Sequence, residues 1–314
     1  MPRKRALLVG INEYHPAIGP LGGCVNDTLQ VKATLLERFS FPVEGIKELL
    51  DADATREAIL EGLEWLVRNS AAGDVLVLFY SGHGSRLPNP QDPSGKDEVL
   101  VASSPEWETL LAGKTDASML FLEENWELQF IRDKEIKARL DALADGVNLT
   151  LLMDCCYSGD VNRDLRTFPR YLEPPVSIQA AIDEAQQAYW HHAQESAPEA
   201  SLEELKLSKE HAKHLFQKVF LGNRFDFVTT GENNILLAAC SEKETALEKS
   251  FGGQRGGVFT HYLTSILCDQ DTVITYDDLI QALGQSMRFT PQMPRLTCPE
   301  QYLHRAIFSS FCGG

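Results

Sequence analysis

Short, wholly apolar runs alternate along the chain with longer stretches in which apolar residues return every three or four positions. The first kind reads as strands buried on both faces and the second as amphipathic helices, so the alternation predicts parallel strands joined by helical crossovers. Residues 5–11 (RALLVGI), 46–50, 75–80 (VLVLFY), 149–153 (LTLLM) and 235–239 predict strands, with a late strand at 305–308. Residues 24–39 predict a helix with Leu29, Ala33 and Leu36 at helical spacing and Asn26 or Asp27 near its start. Further helices are expected at 55–69, with Ile59, Leu63 and Leu66 inward, and at 133–144, 258–267 and 276–287. The expected fold class is α/β, one open and mostly parallel sheet with helices on both faces.

After Gly159 the pattern breaks. Pro169, Pro174, Pro175 and Pro198 interrupt the next stretch, and 202–220 is polar and helix-favouring. Three parts follow: residues 1–160, an insertion or linker over 161–233 that is partly helical, and 234–314, which completes the same domain. No internal repeat interrupts this plan.

Composition narrows the function. Forty-five acidic residues against 29 basic ones give a formal charge of −16, which excludes the basic face that nucleic-acid partners require and suits cationic substrates. The runs at 75–80 and 149–153 fall far short of the roughly 20 residues of a spanning helix, so no membrane partner is expected. The start, MPRKR, imitates a signal peptide, but the apolar stretch behind it stops at Asn12-Glu13, shorter than an h-region of roughly 7–15 residues. Seven cysteines without paired metal spacing then point to a reduced, cytoplasmic setting.

Two segments carry candidate chemistry. YSGHGS at 80–85 and DCCYSG at 154–159 each follow a buried strand, and functional groups in open α/β sheets collect beyond the carboxyl ends of such strands. A histidine and a cysteine far apart in sequence can therefore face each other. An imidazole within reach of a thiol takes its proton and turns it into a nucleophile. The N–H groups of Gly84 and Cys156 can together polarise a scissile carbonyl as an oxyanion hole, and the glycines beside His83 permit close backbone approach. Alone, a loop histidine is a surface group and a strand-end cysteine a small core residue; the pair is what signifies.

YSGHG followed by DCCYSG resembles the catalytic pair of the metacaspases and their bacterial relatives, the caspase-like peptidases. GCVND at 23–27, DEVL at 97–100, CSEKETALE at 240–248, GVFT at 257–260 and PQMP at 291–294 resemble further family segments in the family's order. Tyr157 departs from the histidine usual after the cysteine. The resemblance implies the caspase-haemoglobinase fold and a cysteine endopeptidase with His83 as general base and Cys156 as nucleophile. The family's Asp lies two positions before its cysteine, which assigns Cys156 over Cys155; neighbours in an extended strand end point oppositely, so only one faces His83. By the same resemblance Asp27, Ser81 and Asp154 line the primary pocket, and carboxylates sharing a pocket prefer a cation between them. Peptide or protein substrates cut after Arg or Lys are the expected partners. For Asp27, a plain helix N-cap is the other reading.

Calcium is a possible cofactor, since many metacaspases hold it on clustered Asp residues. Asp97, Asp133 and Asp160 are the candidates, with Lys134 standing where the family has a second Asp. Basic residues of the insertion, Arg163, Arg166, Arg170, Lys206, Lys209, Lys213, Lys218 and Arg224, are expected to be exposed, which suggests activation by autocleavage there. His191, His192, His211 and His214 read as a solvated helix face, not a metal site. Two readings compete with the peptidase: a non-catalytic caspase-like scaffold in a cell-death or defence complex, and a hydrolase of small amides. A role in programmed cell death is implied by the resemblance alone.

Overall fold

The structure is a computed structural model that describes residues 2–156, 168–195, 234–240, 244–269 and 273–311. In chain order its strands are β1 (Lys4–Gly10), β2 (Ile46–Leu50), β3 (Val75–Ser81), β4 (Gly84–Pro88), β5 (Lys96–Val101), β6 (Phe130–Arg132), β7 (Asn148–Asp154), β8 (Phe168–Pro169), β9 (Asn234–Ala238), β10 (Leu247–Phe251), β11 (Gln254–Gly257) and β12 (Arg295–Thr297). The helices are α1 (Cys24–Phe39), α2 (Arg56–Val67), α3 (Trp107–Leu110), α4 (Trp126–Gln129), α5 (Asp133–Leu140), α6 (Val176–Glu195), α7 (Val258–Asp269), α8 (Tyr276–Ser286) and α9 (Glu300–Leu303).

Six strands form the central sheet in the order β12-β9-β7-β3-β1-β2, parallel except for β12 against β9. Alternate side chains along each strand feed two cores. Leu7 and Val9 of β1 with Leu76 and Leu78 of β3 pack under α2 and α5, whose Leu63 and Ile136 meet them. Ala6 and Leu8 with Val77 and Phe79 face the other way, onto Val31 and Leu35 of α1 and Phe259 and Leu263 of α7. Burial on both faces is why these strands read as continuous apolar runs. Two antiparallel three-stranded sheets, β4-β5-β6 and β11-β10-β8, flank the C-terminal edge of the large one.

Two expectations are corrected. The strand expected at 305–308 is absent: Ala306 makes one isolated bridge to Thr275, and Phe308 sits at φ 49, which a strand does not tolerate. The closing strand is β12, three residues following Pro294. On α1 the buried stripe is Cys24, Asp27, Thr28, Val31, Thr34 and Leu35, whereas Leu29 is 48% exposed. Polar residues inside that stripe disguised its phase, and one of them, Asp27, belongs to the site.

Candidate functional site

Register brings the site together. Ser81 pairs with Gly10 on one side and with Asp154 on the other, so β3 and β7 end level. His83 and Cys156 each follow two residues later, at the same rim of the sheet. Both are buried. Cys155 packs in the core beneath one face of the sheet and Cys156 in the core beneath the other, as alternation along an extended chain requires.

His83 is held on three sides. Its backbone N–H donates to Tyr14 Oη at 3.0 Å, and that hydroxyl donates to the Val101 carbonyl at 3.0 Å. The Tyr14 ring meets the imidazole edge-on at 4.6 Å. Nε2 lies 2.7 Å from the Gly19 carbonyl; a carbonyl only accepts, so Nε2 carries the hydrogen and Nδ1 is the bare acceptor. Nδ1 is buried with no hydrogen-bond partner. Burial holds the imidazole down to about 4, against the pull of the Gly19 carbonyl, and pushes the Cys156 thiol up to about 12. Cys156 Sγ is directed at the Ala246 carbonyl at 3.9 Å. Thiol and imidazole are thus both uncharged and not hydrogen-bonded to each other.

A strand of the chain's own insertion covers them. β8 pairs with β10, and the next residue, Arg170, is fully buried, which corrects the expectation that it is exposed. Its carbonyl accepts from Gly84 N at 3.2 Å and from Cys156 N at 3.3 Å, and its N–H donates to Ala246 O at 3.0 Å. The two N–H groups singled out in the sequence therefore converge on one peptide carbonyl.

The Arg170 guanidinium fills the acidic pocket. Nη2 contacts Asp27 Oδ2 at 2.6 Å and Glu248 Oε2 at 3.5 Å; Nη1 contacts Asp154 Oδ2 at 3.0 Å and Ser81 Oγ at 2.8 Å. Three buried carboxylates surrounding one cation explain why an arginine tolerates complete burial. The carboxylates are themselves fixed. Asp27, in the first turn of α1, accepts from the Gly257 N–H and from Ser81 Oγ; Asp154 accepts from the Thr260 N–H and hydroxyl. Burial pushes Asp27 up to about 6, the Arg170 cation pulls it down, and nearby Asp154 pushes it up again. Gly257 is required by space: a Cβ there falls 2.2 Å from Asp154 Oδ2 and 2.5 Å from Arg170 Nη1.

Asp27, Ser81 and Asp154 are thus brought together, and the N-cap reading of Asp27 gives way to a buried pocket carboxylate. Sequence reasoning missed Glu248, the third acid, whose two oxygens accept from the Gly22 and Gly23 N–H groups at 2.9 Å. It closes the CSEKETALE segment, so a signal was present. Gln292 was also missed as a support: it accepts from Leu247 N and donates to Ala239 O, fixing the edge that carries Ala246.

Of the calcium candidates among the described residues, Asp97 is already engaged by cations. Asp97 receives Arg132 Nη1 at 2.5 Å, Lys134 Nζ at 2.7 Å and Asn89 Nδ2 at 2.6 Å, so two cationic side chains already neutralise it. Asp133 accepts from the Lys134 N–H. Among the described residues no three His, Cys, Asp or Glu side chains gather as a metal site. His191 is exposed on α6. Tyr157, Asp160, Arg163, Arg166, residues 202–220, His211 and His214 lie outside the described residues, as do the side chain of His192 and the linker's remaining lysines and Arg224. No described helix is long and apolar enough to cross a membrane.

A family model described as metacaspase, peptidase C14 domain, matches residues 4–165, slightly more than half of the chain. Metacaspase-6 of Arabidopsis thaliana is 34% identical over 164 residues, 50% of this chain and 38% of that protein. Metacaspase-1 of Schizosaccharomyces pombe is 24% identical over 309 residues, 94% of this chain and 67% of that protein. The matched stretch thus spans well under half the length of the plant relative. A crystal structure of a Geobacter sulfurreducens protein, 20% identical, superposes with a TM-score of 0.61 over 98% of this chain and 99% of that one, a likeness of fold. With residues 4–165 matched and the α/β sheet in place, the chain belongs to the metacaspases, the peptidase C14 domain family, and its architecture is the caspase-haemoglobinase fold.

Proposed function

We propose that the protein is a cysteine endopeptidase that cleaves after arginine and whose first substrate is its own Arg170–Tyr171 bond. The observation that carries this reading is Arg170 itself, with its side chain among three carboxylates and its carbonyl on the N–H groups of Gly84 and Cys156. In the reaction Cys156 Sγ adds to the Arg170 carbonyl carbon while its proton passes to His83 Nδ1, the nitrogen left free by the Gly19 contact. The two N–H groups take the developing oxyanion. His83 then returns the proton to the departing amine of Tyr171, and water hydrolyses the acyl-enzyme by the same route. Arginine suits the pocket better than lysine, because a planar fork reaches acceptors on both nitrogens where an ammonium offers one point of charge.

The described contacts of Asp97 support a calcium-independent enzyme. A cytoplasmic setting and a role in programmed cell death are carried forward on the family resemblance. One observation favours a second reading: Cys156 and His83 are buried under the segment and not bonded to each other, which suits a permanently plugged scaffold. The two readings separate by mass spectrometry of the purified chain and by release of coumarin from an arginyl coumarinamide. A new N-terminus at Tyr171 and coumarin release, both abolished in Cys156→Ala and retained in Cys155→Ala, are expected. An intact, inert wild type overturns the peptidase.

A further inference from the structure

The segment continues beyond Arg170, and its next two residues are read as closely as the arginine. β4 leaves the rim just after His83, and Gly84 pairs with Tyr171 in a parallel bridge. Leu172 N donates to the Gly84 carbonyl at 2.9 Å, and Ser85 Oγ, itself fully buried, donates to the Leu172 carbonyl at 2.7 Å. Residues 170–172 therefore lie on β4 as an added strand, the backbone mode by which extended peptides are captured at a sheet edge. Leu172 is buried in the same core as Leu87 and Val99.

Tyr171 has a partner of its own. Arg86 Nη2 donates to the Tyr171 hydroxyl at 3.0 Å, and the guanidinium carbon stands 5.8 Å from the ring centroid, within the range of a cation–π contact. Tyr171 is the hydrogen-bond partner of Arg86 among the described residues, and Arg86 Nε is buried without one. Nothing in the cleavage chemistry described above uses Arg86. A cation kept half-buried beside the leaving group, bonded to the hydroxyl of the next residue and within reach of its ring, is arranged to read the residue after the cut.

We infer that β4 is a leaving-side recognition strand on which Arg86 selects a tyrosine, or another aromatic residue, immediately after the scissile bond, and on which Ser85 and Gly84 clamp the backbone of the following residue. The inference rests on the proposed cleavage after arginine and adds a second specificity determinant to it. It separates substrates that share an arginine but differ beyond it. A lysine in that position meets the Arg86 charge head-on; a phenylalanine keeps the ring contact and loses the hydroxyl bond.

Three internally quenched peptides, identical except for Arg-Tyr-Leu, Arg-Phe-Leu or Arg-Lys-Leu at the centre, test this, alongside an arginyl coumarinamide that has no residue after the arginine. Wild type is expected to show kcat/KM for Tyr several-fold above Phe and at least about tenfold above Lys, the order of a charge-assisted hydrogen bond gained and a like charge avoided. In Arg86→Ala the three values are expected to fall within about twofold of one another, since the discriminating contacts are gone. Arg86→Lys keeps the charge but not the fork or the stacking face, so it should still reject Lys while losing the preference for Tyr over Phe. Ratios within one protein do not depend on how much of it is active, and the wild-type order decides even if a variant fails to fold. Equal cleavage of the three peptides by wild type, or an unchanged order in Arg86→Ala, overturns the assignment of Arg86. Failure of wild type to release coumarin and to cut any of the peptides instead overturns the cleavage reading on which it rests.

Discussion

Arg170→Ala is the sharpest perturbation of the site. It removes contacts to Asp27 at 2.6 Å, Ser81 at 2.8 Å, Asp154 at 3.0 Å and Glu248 at 3.5 Å, and it leaves the acids facing an empty pocket. Breaking a buried ion pair by deleting one partner costs about 3–5 kcal/mol. The segment can leave and admit water, so this cost appears as lost docking more than as lost fold. In the proposed reaction, self-cleavage proceeds only from the docked form. Each 1.36 kcal/mol of lost docking divides its rate by ten, so the rate falls by roughly two to nearly four powers of ten once the wild-type surplus of docking is exhausted. Arg170→Lys retains one charged contact, and about a tenfold slowing is expected. The assay is a pulse of labelled chain from cell-free synthesis, chased, quenched in denaturant and resolved into residues 1–170 and 171–314. If the Arg170→Ala chain is cut as fast as wild type, the acidic pocket is not where cleavage is directed.

Two more outcomes follow from the same geometry. Gly257→Ala places a methyl 2.2 Å from Asp154 Oδ2, inside the space of the guanidinium, and is expected to destabilise the fold by about 1–3 kcal/mol and, below its unfolding temperature, to cut arginyl coumarinamide turnover at least about a hundredfold, chiefly through KM; wild-type kinetics in this variant refute the pocket. Chelation by EGTA, and calcium added back, are expected to leave both self-cleavage and peptide turnover within about twofold of the untreated enzyme, because Arg132 and Lys134 already neutralise Asp97; a strict calcium requirement in the turnover assay counts against that reasoning.

Much of this was legible in the sequence, and the parts that were not share a cause. The strands 75–80 and 149–153 announce themselves because burial on both faces leaves them almost wholly apolar, with Thr150 the one polar residue, its hydroxyl 2.7 Å from Tyr276 Oη. The residues that follow them held His83, Gly84 and the Cys155-Cys156 pair, and the family resemblance chose Cys156. Short strands such as β8 and β12 have two or three residues and no period to detect. Arg170 was legible as a basic residue in a linker, yet composition alone suggested exposure. Its burial depends on Asp27, Asp154 and Glu248 meeting from α1, β7 and β10, a coincidence of tertiary structure that no local pattern records. The stripe on α1 failed for the same reason, since a helix that donates an acid to a buried pocket breaks its own amphipathic period.

The occupant also explains the charge state of the pair it covers. By excluding water, the segment disfavours both thiolate and imidazolium, so Cys156 keeps its proton and His83 stays neutral with Nδ1 bare. That is the state from which the proposed transfer from sulfur to nitrogen begins, with a carbonyl already seated on two N–H donors. The pocket behaves oppositely. Burial, with Asp154 nearby, lifts Asp27 to about 6 although the Arg170 guanidinium pulls it down, so below that pH it takes up a proton and offers less to a cation. In the proposed reaction, departure of Arg170 after a cut withdraws the guanidinium that Asp27, Asp154 and Glu248 share, leaving Arg255 3.6 Å from Glu248 Oε1 as the remaining cation contact among the described residues, and opens the pocket to another cation. On the proposed specificity, an emptied pocket on a chain of net charge −16 draws in the next arginine by the same electrostatics that seated Arg170.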